Sequence, residues 1–150
     1  MGDIVVTAAR TIAAPPQAVY QVFANYKDHH PKILPPAFSD YKLEQGGIGA
    51  GTRLSFVLNA GRRRRAYTMR VSEPDPGHIL KESDEGSSLT TTFTVTAEGS
   101  GSRVLIETRW QNAQGFGGLM ERLFAPRVMQ RLYVEELDRA DQYVRNTPRS

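Results

Sequence analysis

Four side chains in this sequence could move protons or polarise a carbonyl: Arg10, His30, Tyr67 and Glu82. A general acid or base must lie within hydrogen-bond reach of its substrate, with a pKa moved by burial or by neighbours. Tyr67 stands on the inward parity of an alternating strand, where a phenol can anchor a carbonyl; an unperturbed phenol is a poor base at neutral pH. His30 adjoins His29, and adjacent histidines point in different directions. No third Asp, Glu or His stands at ligand spacing on a regular element, so both are read as surface residues and no metal site is expected. Tyr26, Asp28 and His30 can still gather as a polar cluster at a cavity mouth. Tyr67 and His30 are therefore the catalytic candidates, without a nucleophile, triad or oxyanion arrangement around them. The absence of cysteine removes disulfides, thiolate ligands and thiol nucleophiles, and nothing calls for a cofactor.

Arg62-Arg63-Arg64-Arg65 carries the basicity of the chain, whose formal net charge is +3. Without it, acidic residues would outnumber basic ones. Such a cluster has the form of an anion patch for membrane lipid, RNA or a protein partner. It is compact, however, whereas nucleic-acid binders spread Lys and Arg over a face with interleaved aromatics. At a hairpin tip the four charges read as solvated, and nucleic acid is not the favoured partner.

The elements that must position these groups are legible from period and punctuation. Ile4–Ile12 reads as a strand rich in Val, Ile and Thr. Pro15-Pro16 opens a helix whose face is Val19, Val22, Phe23 and Tyr26. Asp28-His29-His30-Pro31 ends it, and Lys32–Leu34 makes at most another turn. Six further strands follow with period two. These are Phe38–Gln45, Thr52–Asn59 after the Gly-rich 46–51 connection, the return strand through Tyr67, Met69 and Val71, Ile79–Ser83, the strand through Leu89–Thr96, and the one ending near Trp110. Glu73-Pro74-Asp75-Pro76-Gly77 reads as a turn. Leu89, Thr91, Phe93 and Val95 share one face of the sixth strand while four threonines occupy the other, the mark of a half-buried antiparallel strand.

A long helix, roughly 117–144, closes the chain. Leu119, Leu123, Leu132, Leu137, Ala140 and Val144 form its stripe, and Glu135, Glu136, Asp138, Arg139 and Asp141 read as solvated. Pro126 should kink or split it. A meander of seven strands cannot cover its own apolar face, so the helix lies across the concave side and leaves a hollow. Phe56, Leu58, Tyr67, Met69, Thr91, Phe93, Trp110 and Leu123 are the expected ligand-binding residues, with access near the early helices and the Gly-rich loop.

Ile12-Ala13-Ala14-Pro15-Pro16-Gln17-Ala18-Val19-Tyr20, Gly49-Ala50-Gly51-Thr52 and the spaced leucines of the last helix resemble the START-like (SRPBCC) superfamily, in particular its polyketide cyclase/dehydrase-like branch. The resemblance implies the helix-grip fold: α+β, a curved seven-stranded antiparallel sheet around a long C-terminal helix, with two short helices after the first strand. It spans nearly the whole chain and treats 1–150 as one domain. His30-Pro31-Lys32-Ile33-Leu34-Pro35 is similar to the Tyr-Pro-x-Phe-Leu-Pro pattern of the coenzyme-Q-binding branch, with His30 for the tyrosine and Ile33 for the phenylalanine.

Fold does not assign function. The expectation is a protein that binds or carries an apolar small molecule, lipid-like or aromatic polyketide-like, in an internal cavity. The alternatives are a polyketide cyclase or dehydratase with Tyr67 and His30 orienting carbonyls, and an interaction module using Arg62–Arg65. The N-terminus lacks signal-peptide character and no apolar run is long enough to span a bilayer, so a cytoplasmic protein is expected. A homodimer is left open.

Overall fold

The computed structural model describes residues 3–111 and 125–147. Strands β1 (Asp3–Ile12), β2 (Phe38–Gln45), β3 (Arg53–Ala60), β4 (Arg63–Asp75), β5 (Ile79–Asp84), β6 (Thr90–Glu98) and β7 (Gly101–Gln111) are joined by α1 (Pro16–Ala24), α2 (His30–Ile33) and, last, α3 (Pro126–Asn146). All neighbouring strands are antiparallel, in the order β1-β7-β6-β5-β4-β3-β2. The first two strands therefore occupy opposite edges, and α1 and α2 carry the chain between them. This is the helix-grip arrangement, a curved sheet holding a long C-terminal helix.

Alternation decides which residues enter the core. Leu54, Phe56 and Leu58 of β3, Tyr67, Met69 and Val71 of β4, and Thr91, Phe93 and Val95 of β6 are buried. Their strand neighbours are intermediate or exposed. Pro16 occupies the first turn of α1 with no side-chain cap; its missing N–H is one that a helix start leaves unpaired anyway. Helix α3 is anchored on β1 by Arg10, whose guanidinium binds Asp138 at 2.5 Å and Asp141 at 2.9 Å. Arg10 thus serves as a clamp between sheet and helix.

Two boundaries differ from expectation. The β3–β4 hairpin turns at Gly61-Arg62, so Arg63, Arg64 and Arg65 belong to the ladder, paired with Ala60, Asn59 and Leu58. Cross-strand pairing carries β4 through Glu73 and Pro74 to Asp75, across an irregularity after Ser72. Helix α3 starts at Pro126, in its first turn, after a non-helical Ala125; the expected helical stretch 117–124, with Leu119 and Leu123, lies outside the described residues. None of the described helices is long and apolar enough to cross a membrane.

The 46–51 connection is tied down at Gly49, whose φ is +63° and whose Cβ position would collide with the Glu73 carboxylate. That carboxylate accepts from the Ala50 amide at 2.8 Å and the Tyr20 hydroxyl at 2.6 Å, joining loop, β4 and α1. Gly49→Ala should cost about 2 kcal/mol, combining the left-handed backbone penalty with displacement of Glu73; a urea titration checks it, and a loss under about 0.5 kcal/mol would show that Glu73 moves freely.

Candidate functional site

A cavity lies between the concave face and α3. Its apolar wall is Leu54, Phe56, Leu58, Met69 and Phe93 from the sheet and Leu89 just before β6, with Met129 from α3 and Leu34 and Phe38 at the α2–β2 connection. Leu34 and Phe38 are its partly exposed lining residues and mark the rim. No residue of the 46–51 loop lines it, which moves access from that loop to the α2–β2 connection. The unfilled space is about 30 Å³, room for one or two waters.

The polar lining is concentrated on His30, Tyr67, Glu82, Thr91, Tyr133 and Glu136. His30, expected at the surface, is only 3% exposed. Its ring stacks on Tyr26 at 4.7 Å and meets the edges of Phe23 and Phe93. Helix α2 begins at His30, and Pro31 sets that first turn, so the break in the sequence pattern turns the imidazole inward. Nδ1 lies 2.6 Å from the Phe23 carbonyl, which can only accept, so Nδ1 carries the proton. Nε2 then faces Glu136, with its Oε2 at 3.5 Å, an ionic contact too long for a well-formed hydrogen bond. Glu136 Oε2 is buried without a hydrogen-bond partner.

Glu82 completes the group. It is 7% exposed and accepts from the Tyr26 hydroxyl at 2.7 Å. Parity could have placed it: Leu80, Glu82 and Asp84 share the buried face of β5. Glu136 was also legible, because Met129, Tyr133, Glu136, Ala140 and Val144 follow helical spacing along one face and all are buried. Reading the charges at 135–141 as mostly solvated missed it, and missed Asp141, which receives Arg10 and Arg145. Tyr133 accepts from Thr108 at 2.6 Å, and Thr108 is 2.7 Å from Thr91. The Tyr133 proton is thereby free to be donated into the cavity.

Burial alone pushes the His30 pKa down, but the Glu136 carboxylate, then the charge of Glu82 and the Phe23 carbonyl, outweigh it and leave it raised. Burial raises Glu82, with the Glu136 charge adding to it against His30 and the Tyr26 hydrogen bond. Both groups bind protons more tightly folded than unfolded. Their stabilisation is present below the unfolded pKa and is lost as pH rises through the folded one. For Glu82 the loss begins above its ordinary 4.5, for His30 above 6.5. Stability should therefore fall as the pH rises above 6.5, by up to about 1.4 kcal/mol per pH unit for one proton. His30→Gln should flatten that stretch of a urea-midpoint profile; a wild-type profile already flat there would contradict the assignment.

Tyr67 lies elsewhere in the cavity, 2% exposed, with its hydroxyl unpartnered. Of the other expected ligand-binding residues, Phe56, Leu58, Met69, Thr91 and Phe93 line the same space. Trp110 is buried on β7, paired with Ile4 of β1, and does not line it; Leu123 lies outside the described residues. The arginine cluster divides: Arg64 reaches Asp40 at 3.7 Å on the exposed side, whereas Arg65 is partly buried beside Tyr67. Among the described residues no group of three or more His, Asp or Glu is arranged to hold a metal.

A family model described as polyketide cyclase/dehydrase and lipid transport matches residues 3–145. The solution structure of KanY protein is 34% identical, with a TM-score of 0.86 over 97% of this chain and 100% of that one. A Thermus thermophilus protein (23% identity, TM-score 0.72, 94% of this chain and 97% of that one) shares the fold. So does the major latex-like protein 151 of Panax ginseng (11%, 0.71, 94% and 97%). No curated protein matches the sequence.

Proposed function

Because the chain belongs to the polyketide cyclase/dehydrase and lipid transport family, we propose that it binds an apolar small molecule, aromatic polyketide-like or lipid-like, between the concave sheet and α3. The observation that carries this reading is the cavity wall itself. Phenylalanine, leucine and methionine side chains surround a few inward polar groups, the composition of small-molecule sites. The narrow free space means that a ligand must displace side chains. Met69 and Met129 are adaptable by their unbranched thioethers, and Leu34 and Phe38 stand at the rim. Native mass spectrometry of freshly purified protein, with solvent extraction of whatever leaves it, tests the reading. A discrete apolar adduct, with a rise in Tm when it is added back, is the expected result. A clean apo mass together with no Tm response to a panel of aromatic and fatty compounds would remove it.

A second reading is favoured by one observation, the buried His30 between Glu82 and Glu136 at the cavity wall. A histidine fixed at Nδ1 by a carbonyl presents Nε2 as base or acid. In a dehydration of a β-hydroxy carbonyl compound, Nε2 would take the α-proton and return a proton to the departing hydroxyl, which leaves as water. The Tyr133 hydroxyl would donate to the carbonyl oxygen. Under this reading the extracted compound is converted on incubation, and His30→Gln stops conversion while leaving ligand affinity within a few fold.

A further inference from the structure

We propose that Tyr67 and Arg65 form an anion-recognising end of the cavity, and that the ligand carries a carboxylate held there. The proposal deepens the cavity-binding reading and rests on it. Tyr67 lines the cavity, and its hydroxyl is buried with no hydrogen-bond partner. Two residues back on the same face of β4, Arg65 holds its guanidinium carbon 5.2 Å from the centre of the Tyr67 ring. Its Nε is also buried without a partner. Buried donors are paired in nearly all native structures, so two unpaired ones on adjacent inward positions of one strand point to an acceptor that arrives from outside the chain.

The charge balance selects an anionic acceptor. The nearest acid, Asp84, lies 3.8 Å from the Arg65 Nη2. Its oxygens are already engaged by the Thr68 amide and the Ser87 hydroxyl. Arg63 shares the inward parity and also acts on the Tyr67 phenol. Burial pushes that phenol up to about 12, so it keeps its proton and donates. A carboxylate accepting from a phenol and a guanidinium forms the stronger, charge-assisted class of hydrogen bond.

The same arrangement fixes the direction of binding. Arg65 pairs with Leu58, and Leu58 with Phe38, so the anion end is level with the rim. Glu82 is level with Val71, four residues beyond Tyr67 on β4, which is about 14 Å along the strand. Two carboxylates at that deep end repel an acidic group, whereas a hydroxyl of the ligand could donate to the unpartnered Glu136 Oε2. The occupant is thus an elongated apolar molecule, acid end at the rim.

The test pairs 2-naphthoate with 2-naphthalenemethanol, titrated by NMR at pH 7.5 into wild type, Arg65→Gln, Tyr67→Phe and Arg64→Gln. Wild type should bind the acid at least about tenfold more tightly than the alcohol, with NOEs from the naphthyl protons to Phe56. Arg65→Gln and Tyr67→Phe should each erase most of that preference, and Arg64→Gln should preserve it. Equal binding of the two probes by wild type overturns the proposal and leaves the cavity reading standing. So does a preference that disappears with Arg64 alone, which would place the acid on the exposed face. Binding of neither probe overturns both. A variant that loses acid and alcohol alike, with unchanged amide dispersion, would mean that the pair shapes the cavity and does not recognise an anion.

Discussion

His30→Ala should lower folding stability by about 3–5 kcal/mol at pH 7. Among the described residues the ring is the basic group set against both Glu82 and Glu136. Its removal leaves two buried carboxylates acting on each other without compensation, and strips the aromatic contacts with Tyr26, Phe23 and Phe93. Denaturant unfolding of the variant measures the loss. Lowering the pH to 5 should recover part of it, because a protonated Glu82, whose pKa burial raises, no longer repels its neighbour. A loss below about 1 kcal/mol, or one independent of pH, would mean that His30 contributes as packing only.

Glu136→Leu should act in the opposite sense, raising stability by about 1–2 kcal/mol. Breaking a buried pair at its cation is costly. Removing the surplus anion relieves like-charge repulsion and replaces an unsatisfied oxygen with a methyl-bearing side chain among Tyr133, Met129 and Phe93, which line the same space. Glu82 would keep Tyr26 and His30 as partners. The gain should grow from pH 6 to pH 8.5 as His30 loses its proton, and urea titrations at the two values check it. The variant should also lose any conversion of ligand, since His30 would lack the carboxylate that raises its basicity. Such an exchange of function for stability is common where a protein keeps buried charge at a working site. A destabilised Glu136→Leu would instead make the His30–Glu136 contact a net source of stability.

These opposed effects show where sequence reading succeeded and where it stopped. The threonine and apolar alternation of β6 states both faces of the strand without ambiguity, and Pro15-Pro16 states where α1 starts, because strand parity and proline geometry are local properties. The polar half of the cavity depends on three distant elements meeting. His30 is inward only because α2 docks between α1 and α3, which no spacing within 28–34 reveals. Glu136 could have been read from the Met129-Tyr133-Glu136-Ala140 spacing. Yet the rule that a helical glutamate is solvated is sound in general and fails at sites where charge is retained for use. Tyr67 was placed correctly by parity; that its hydroxyl has no partner is a fact of tertiary structure alone.

The pairing of the first strand with the last sets an order of events during synthesis. Asp3 lies opposite Gln111 and Ile12 opposite Ser102, so β1 waits for about a hundred residues before its neighbour in the sheet exists. Strands β2 to β7 each meet a partner next in sequence and can assemble as the chain emerges, whereas long-range closure is slow. Until then β7 presents a bare edge, the type of surface that recruits other chains. The Arg10 clamp to Asp138 and Asp141 can form only after α3 has been made. A nascent chain stalled before Pro126 should therefore expose the apolar concave face and depend on a chaperone until α3 is made and covers it.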